Sequence, residues 1–257
     1  MKSSELSILV YSCWKNRDMW DTFLPLFKKY WPDCAFQLVL LTDKLECDES
    51  RYAFDKIIAL DGSWHEMITN ALSECKTQFV MLFMDDYLFW GKMENEPIES
   101  FVSAMKTYDA ANIRFTKSAF TKLVDFAPDA RFKQVVPGSA YSLSTQIGIW
   151  NAEILRSYMN KEWSAWDFER IGSLEIKDFS HPILETVDFR IPYSEGVRKG
   201  KWLPDGIKVC EANGVKIDFA RRPKMGFVDY FIVNAKTRIL KLNPNLVQKM
   251  QNLLQKR

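Results

Sequence analysis

Two adjacent carboxylates, Asp85 and Asp86, follow the uninterrupted apolar run from Phe79 to Met84. A run of this length is typical of a strand buried on both faces, as in the middle of a parallel sheet. In open α/β sheets, ligands bind at the edge where such strands end. Residues 87–90 are apolar again, so the two charges are costly unless a cation or a hydrogen-bonded ligand meets them. The alternative interpretation is that the pair caps a turn, since aspartate is a favoured turn residue.

A second pair of carboxylates, Asp167 and Glu169, lies near the predicted start of a helix at Ser164. Residues two positions apart on a helix point in different directions, so only one of the two can face a given ligand. Such a carboxylate can act as a general base towards a hydroxyl group. The alternative for Asp167 is that it only stabilises the helix N-terminus through the helix dipole.

Three basic residues, Arg198, Lys199 and Lys201, cluster around two glycines in the stretch YSEGVRKGKW. A cluster of this kind suits the binding of a diphosphate, and the alternative is a solvated basic loop. His181, which precedes a proline, is a candidate metal ligand or a structural histidine. Gly148 interrupts a short predicted strand and therefore indicates a close approach by backbone or ligand.

The elements that must position these side chains alternate between strands and helices. Apolar runs at 6–12, 36–41, 54–60 and 78–84 predict strands, and the intervening segments have helical spacing. Ser63 and Glu66 have the spacing of a capping box, while Pro25 is expected to kink the first helix or to mark its true beginning. We therefore expect an α/β fold with a mostly parallel central sheet flanked by helices. Residues 115–136 predict only loops and short hairpin strands.

Composition excludes several classes of partner. The 257 residues carry 35 basic and 33 acidic side chains, and a net charge of +2 gives no reason to expect nucleic-acid binding. Neither a GxGxxG nor a GxxxxGK[ST] motif occurs, which argues against a dinucleotide-binding Rossmann domain and a P-loop nucleotidase. A nucleotide would therefore be bound through side chains and a metal.

The cysteines and the hydropathy predict a cytoplasmic protein. The five cysteines form no CxxC pair, and their odd number argues against a disulfide framework. The N-terminal apolar run is too weak for a secretory signal, and no run is long enough to span a membrane. A last helix is predicted from Asn243 and Pro244, with an apolar stripe. This helix either docks on the domain or contacts the inner face of the cell membrane.

The order of these features resembles the GT-A nucleotide-sugar glycosyltransferases, specifically small bacterial enzymes that build capsular or O-antigen polysaccharides. The resemblance covers residues 5–205, and three stretches carry it. They are LSILVYSC with its partner strand ending in LLTD, the DxD-like stretch FMDDYLF, and QIGIWN followed by WSAWDFE. A standard DxD motif has an acidic residue where this chain has Met84.

The resemblance implies transfer of a sugar from a nucleoside-diphosphate sugar to a glycan or lipid-linked saccharide, with inversion of the anomeric centre. It implies Mn²⁺ or Mg²⁺ held by Asp86 and Asp85, with His181 as a further candidate ligand. Glu169 would be the catalytic base, with Asp167 in reserve. The implied donor-binding residues are Tyr11, Ser12, Asp43, Asp85, Arg198, Lys199 and Lys201, and the implied acceptor-binding residues are Gly148, Trp150 and Trp166.

The expected organisation is one domain over residues 1–205, with a nucleotide-binding half at 1–90 and an acceptor half at 91–205. Residues 206–257 form a C-terminal extension ending in the amphipathic helix. Two other functions stay open. A sugar-phosphate nucleotidyltransferase uses a similar α/β fold but calls for a glycine-rich, basic N-terminal loop that the chain lacks. A non-catalytic carbohydrate-binding protein would use the nine tryptophans as stacking platforms.

Overall fold

A large twisted sheet forms the centre of the protein. The computed structural model describes residues 2–118, 120–227 and 229–230. Within them, nine strands form one sheet in the order β3-β2-β1-β4-β9-β6-β10-β8-β7. These strands are β1 (Leu6–Tyr11), β2 (Gln37–Thr42), β3 (Lys56–Ala59), β4 (Phe79–Met84), β6 (Asn112–Arg114), β7 (Leu123–Asp125), β8 (Phe132–Val135), β9 (Gly148–Asn151) and β10 (Ile183–Thr186).

Most strands of this sheet run in the same direction. The first four in sequence, β1 to β4, pair in parallel, and β6 pairs in parallel with β10. β9 lies between β4 and β6 and is antiparallel to both, and β8 is antiparallel to β10 and β7. Of the nine strands described, only β8 and β9 therefore oppose the common direction. The α/β fold class with a mostly parallel sheet is confirmed.

Helices cover both faces of the sheet because the central strands are apolar on both sides. In β1, Leu6, Ile8 and Val10 point towards one face, where they pack with side chains of α1 and α3, while Leu9 points towards the other, where α2 and α4 pack. The helices are α1 (Arg17–Tyr30), α2 (Trp64–Cys75), α3 (Asn95–Thr107), α4 (Ala152–Tyr158), α5 (Ala165–Asp167), α6 (Ser173–Glu175) and α7 (Pro204–Ala212).

Local signals fixed several helix ends. Ser63 and Glu66 form the expected reciprocal capping box at the start of α2. Asn151 caps α4 through its side-chain oxygen, which accepts from the backbone of Glu153 and Ile154. Pro25, however, lies inside a helix that already begins at Arg17, so the expectation of a later start was wrong.

Residues beyond β10 pack back onto the sheet. They contain β11 (Tyr193–Glu195), which pairs with β5 (Tyr87–Phe89), and the hairpin of β12 (Val197–Arg198) and β13 (Lys201–Trp202). Helix α7 spans the expected domain boundary at 205 and shares an apolar cluster with α1 that includes Met19, Leu26 and Ile207. The helix expected from Asn243 lies outside the described residues. Nowhere in the described part of the chain is a helix both long and apolar enough to cross a bilayer.

Candidate active site

Most of the candidate polar residues meet at one edge of the sheet. Strands β1 and β4 run side by side, with Tyr11 opposite Met84, so that Ser12 and Asp85 are neighbours. Strand β9 runs the other way and enters the sheet at this same edge, with Gly148 opposite Leu82. The segment before β9 therefore approaches the end of β4. Because β6 and β10 also end here, side chains from five strand ends share one edge.

Asp85 faces the interior of this edge. The residue is 6% exposed, and its carboxylate accepts a hydrogen bond from the hydroxyl of Ser12. The same hydroxyl accepts from Nε1 of Trp20 in α1 at 2.6 Å. Burial, with a smaller contribution from the neighbouring charge of Asp86, raises the pKa of Asp85 to about 7. Ser12 and Asp85 thus anchor β1, β4 and α1 to one another.

Asp86 is half-buried and is held by the chain that follows β11. Its carbonyl oxygen accepts from the Gly196 amide at 2.7 Å, and its carboxylate accepts from the Val197 amide at 3.3 Å. Burial, and next the charge of Glu195, raises the pKa of Asp86 to about 6. Asp86 is therefore the less enclosed member of the pair and stands beside the basic hairpin.

The basic cluster forms a tight hairpin next to Asp86. Lys199 and Gly200 connect β12 to β13 with φ values of +53° and +73°, the backbone conformation of a type I′ turn. Arg198 forms an ion pair with Glu195, and Lys201 forms one with Asp229 at 2.6 Å. The turn thus brings three cations close to Asp86, of which Arg198 and Lys201 are ion-paired and Lys199 is exposed.

Tyr11 and Asp43 lie at the ends of β1 and β2. The phenol of Tyr11 is half-buried beside Trp64, Met84 and Thr145, and burial is the main cause of its raised pKa. Oδ1 of Asp43 accepts hydrogen bonds from the backbone amide of Trp14 at 2.6 Å, from the Thr42 hydroxyl and from the Lys44 amide. Asp43 therefore fixes the loop after β1 in addition to any contact with a ligand.

Glu169 is a firmly positioned carboxylate at this edge. It lies in the π-helical turn Phe168–Gly172 that joins α5 to α6, a deformation frequently found at functional sites. Glu169 is 8% exposed as a residue. Its Oε1 accepts from the Thr145 amide at 2.7 Å, the Thr145 hydroxyl at 2.9 Å and the Ser144 hydroxyl at 3.2 Å. Three donors from the segment before β9 thus fix one oxygen of Glu169.

Asp167 and Trp166 lie on the turn before Glu169. Asp167 closes a reciprocal capping box with Ser164, whose amide and hydroxyl both donate to its Oδ2. Trp166 is 72% exposed. The carboxylate of Asp167 is therefore engaged in the helix start, whereas the indole of Trp166 offers a free aromatic face.

A cleft of about 380 Å³ opens in front of Glu169. One wall is Tyr193, whose ring centroid is 4.6 Å from that of Tyr87, the residue next to Asp86. Burial and the nearby Tyr193 raise the pKa of Tyr87 well above its usual value, with smaller contributions from the charges of Asp86 and Glu169. The two tyrosines therefore lie near both Asp86 and Glu169.

Sequence reasoning missed the groups at the floor of the cleft. Arg114 ends β6 and lines the cleft, and its neighbour across the strands is Glu185 in β10. Ser144 and Thr145, which bind Glu169, were also missed. A signal for Arg114 was present, since it is the one charged residue in the apolar run AANIRF. Ser144 and Thr145 gave no signal, because their role depends on the fold.

Three predicted site residues are not available at this edge. Trp150 is 0% exposed and packs against Phe168 and Tyr158 in the core, so it presents no surface to an acceptor. Gly148 is buried, and a side chain there would meet the backbone oxygen of Ile113 at 2.8 Å. The close approach expected at Gly148 is therefore made by backbone.

His181 lies at the opposite edge of the sheet. It precedes β10, and its Nδ1 lies 3.0 Å from the carboxylate of Asp109, which precedes β6. Parallel strands bring their beginnings together at one edge and their ends at the other. His181 is therefore separated from Asp85 and Asp86 by the length of the strands.

Asp86 is the residue at this edge that could help to hold a divalent cation. Among the described residues, no group of three or more His, Cys, Asp or Glu side chains is arranged to hold a metal ion. Asp85 is enclosed and bonded to Ser12. Magnesium in nucleotide sites is commonly held by one or two carboxylates together with the substrate phosphates. The donor set therefore suits a cation that Asp86 shares with a bound diphosphate, and does not suit a site made of protein ligands alone.

No family model matches the sequence, and no curated protein matches it. Among solved structures, the chain is similar to TarS 1-349 from S. aureus, with 13% identity, 84% of this chain and 67% of that chain covered, and a TM-score of 0.48. The same protein in complex with UDP-GlcNAc gives 12% identity, coverage of 84% and 68%, and a TM-score of 0.47. A cytidylyltransferase from Leptospira borgpetersenii gives 11% identity, coverage of 88% and 100%, and a TM-score of 0.47. Because these identities and scores are low, we infer the function of this chain from its own site.

Proposed function

We propose that the protein is a glycosyltransferase that moves a sugar from a nucleoside-diphosphate sugar to a hydroxyl group of a glycan or lipid-linked saccharide, with inversion. The observation that carries this proposal is the position of Glu169. Its carboxylate is fixed by three hydrogen bonds and faces a cleft at the same sheet edge as Asp86 and the basic hairpin. A candidate base and a candidate anion-binding region thus lie at one sheet edge, both near Tyr87 and Tyr193.

The donor lies, in this proposal, along the ends of β1, β2 and β4. The nucleoside packs near Tyr11 and Asp43, and the diphosphate reaches Asp86 and the basic hairpin. Arg198, Lys199 and Lys201 offset the negative charge that develops on the leaving diphosphate. A divalent cation, Mn²⁺ or Mg²⁺, when held by Asp86 and the diphosphate, would supply further charge neutralisation.

The acceptor enters through the cleft in front of Glu169. The carboxylate of Glu169 takes the proton from the acceptor hydroxyl as that oxygen attacks the anomeric carbon, and the bond from this carbon to the diphosphate breaks. Attack from the face opposite the leaving group inverts the anomeric centre. The exposed indole of Trp166 provides a face on which an acceptor sugar stacks.

The setting of this activity is surface polysaccharide synthesis in the cytoplasm, at the inner face of the membrane. All five cysteines lie within the described residues and are free, which suits a reducing compartment. The acceptor class and the membrane contact are part of the proposal.

A panel of nucleotide sugars tests the function. With each sugar and Mn²⁺ or Mg²⁺ present, we expect slow hydrolysis of one donor, because water replaces the missing acceptor. Release of pyrophosphate from a nucleoside triphosphate and a sugar phosphate would instead identify a nucleotidyltransferase. Binding of saccharides with neither reaction would identify a carbohydrate-binding protein.

A further inference from the structure

The floor of the cleft is a buried guanidinium group. Arg114 is 2% exposed, and its Nη1 donates to the carbonyl oxygen of Tyr141 at 2.8 Å. Its Nε and Nη2 have no hydrogen-bond partner among the described residues. An unsatisfied buried donor is costly, and more so when it carries charge. A strand end at the edge of the sheet therefore holds a cation whose hydrogen bonds are incomplete.

The nearby Glu185 balances part of this charge without completing the hydrogen bonds. Its Oε2 lies 3.7 Å from Nη2 of Arg114, beyond hydrogen-bond distance, and has no partner of its own among the described residues. The positive charges of Arg190 and Lys117 also favour the ionised form of Glu185. Burial lowers the pKa of Arg114 to about 10, so the guanidinium stays charged at neutral pH. The single carboxylate of Glu185 is therefore shared among the charges of Arg114, Arg190 and Lys117.

A second cation lies at the rim of the cleft. Lys117 is exposed, lines the cleft, and forms no ion pair with any described residue. Among the residues that line the cleft, Arg114 and Lys117 are positive and Glu169 is negative. The lining alone therefore carries one positive charge in excess. Glu185, which is not part of the lining, offsets part of the charge of Arg114 without completing its hydrogen bonds.

Aromatic side chains complete the cleft. The rings of Phe120 and Tyr141 lie 5.8 Å apart and both line it, as does Tyr193. Apolar faces beside a few polar groups are typical of saccharide and small-molecule sites. The cleft thus combines surfaces for a sugar ring with two cations. Arg114 lacks hydrogen-bond partners at Nε and Nη2, and Lys117 has no ion pair among the described residues.

We propose that this cleft is the acceptor subsite and that it binds a saccharide that carries an anionic group, a carboxylate or a phosphate, through Arg114 and Lys117. The proposal rests on the proposed function, because the acceptor hydroxyl must reach Glu169 in the same cleft. It narrows the acceptor to an acidic saccharide.

Binding of D-glucuronate, glucose 6-phosphate and glucose, measured by isothermal titration calorimetry, tests this subsite. We expect at least one acidic sugar to bind about tenfold more tightly than glucose, as one partly buried charge pair would give. The stronger of the two acidic sugars distinguishes a carboxylate site from a phosphate site. Equal affinity for all three sugars would overturn the proposal.

Two exposed lysines on the same segment provide a matched pair of variants. Lys117→Glu reverses the charge at the rim and should weaken the acidic sugar about tenfold or more while leaving glucose unchanged. Lys122→Glu, an exposed lysine outside the cleft, should change neither. An equal loss in both variants would mean that the effect comes from overall charge, and the proposed subsite would be wrong.

A paired substitution tests the floor of the cleft without leaving a buried charge alone. Arg114→Gln combined with Glu185→Gln removes both charges together. Arg114→Gln by itself would leave the buried carboxylate of Glu185 without the neighbouring positive charge of Arg114. We expect the double variant to melt cooperatively and to lose its preference for the acidic sugar. A folded double variant that keeps the full preference would refute the role of Arg114.

The outcome is separable from that of the proposed function. Sugar binding needs no donor, and donor hydrolysis needs no acceptor. If the protein hydrolyses a donor but shows no preference for acidic sugars, the proposal of an acidic acceptor fails and the proposed glycosyltransferase function stands. If UDP displaces the acidic sugar competitively and Lys117→Glu weakens UDP equally, the cleft binds the donor phosphates and the acceptor assignment fails.

Discussion

The hydroxyl of Ser12 donates a hydrogen bond to the buried carboxylate of Asp85 and joins the ends of β1 and β4. Trp20 donates to the same hydroxyl from α1. This contact turns Asp85 towards the interior, whereas Asp86 stays half-buried beside the basic hairpin. Two adjacent carboxylates that look equivalent in the sequence therefore have different roles, one in holding the sheet edge and the other in meeting a ligand.

The buried position of Asp85 predicts a pH-dependent stability. Its pKa is about 7 in the folded protein and about 4 in an unfolded chain. The folded state therefore binds the proton more tightly, so this group costs most stability above pH 7, and the cost falls as the pH drops from 7 towards 4. Asp85→Asn keeps an acceptor for Ser12 and should raise the free energy of unfolding at pH 8 by up to about 4 kcal/mol.

Urea unfolding of the wild type and Asp85→Asn at pH 8 and pH 4.5 checks this prediction. The difference between the two proteins should shrink markedly at the lower pH. A variant that is less stable than the wild type at pH 8 would show that the ionised carboxylate is favourable in the folded state.

Asp86 is predicted to act on the donor and not on the fold. In the proposed site, Asp86→Asn removes the negative charge that would hold a divalent cation together with the diphosphate, and it should reduce donor turnover by about 10²-fold or more. Its melting temperature should not fall, because burial already disfavours the charged form. Asp33→Asn, at an exposed aspartate beyond α1, is the control and should keep full turnover. Normal donor hydrolysis by Asp86→Asn would exclude Asp86 from the site.

Thr145 is predicted to position Glu169. Its hydroxyl and amide both bind Oε1 of that carboxylate. Thr145→Val removes the hydroxyl bond at nearly constant volume and should lower kcat about tenfold with an unchanged Kd for the nucleotide. Thr145→Ser restores the hydroxyl and should recover most of the rate. A parallel loss of nucleotide affinity in Thr145→Val would point to a structural role for Thr145 at the donor site.

The sequence was sufficient for those parts of the fold that depend on local patterns. Hydrophobic runs located β1 to β4, and the capping box of Ser63 and Glu66 marked the start of α2, because these signals act over a few residues. The insertion of β9 against β4 was not predictable in this way. Strand order depends on contacts far apart in the chain, which a single sequence does not display.

The candidate site was predictable where a charged residue interrupts an apolar run. Asp85 and Asp86 were found on this basis, and Arg114 could have been. Trp150 was misplaced because an aromatic residue suits both a saccharide site and a core, and only burial separates the two. His181 was considered because of its type, whereas the direction of β10 carries it to the opposite edge.

Glu169 is predicted to be the general base. Glu169→Gln keeps the size of the side chain and an acceptor for Thr145 but cannot take a proton from the acceptor hydroxyl. Transfer should therefore fall by about 10²–10⁴-fold, while the Kd of the nucleotide sugar is unchanged. Glu162→Gln, at an exposed glutamate before α5, should retain the wild-type rate.

The anomeric configuration of the wild-type product, read by NMR, should be inverted, because a base on the acceptor side implies a single displacement. A retained configuration, or a larger loss of rate in Asp167→Asn than in Glu169→Gln, would transfer the role away from Glu169.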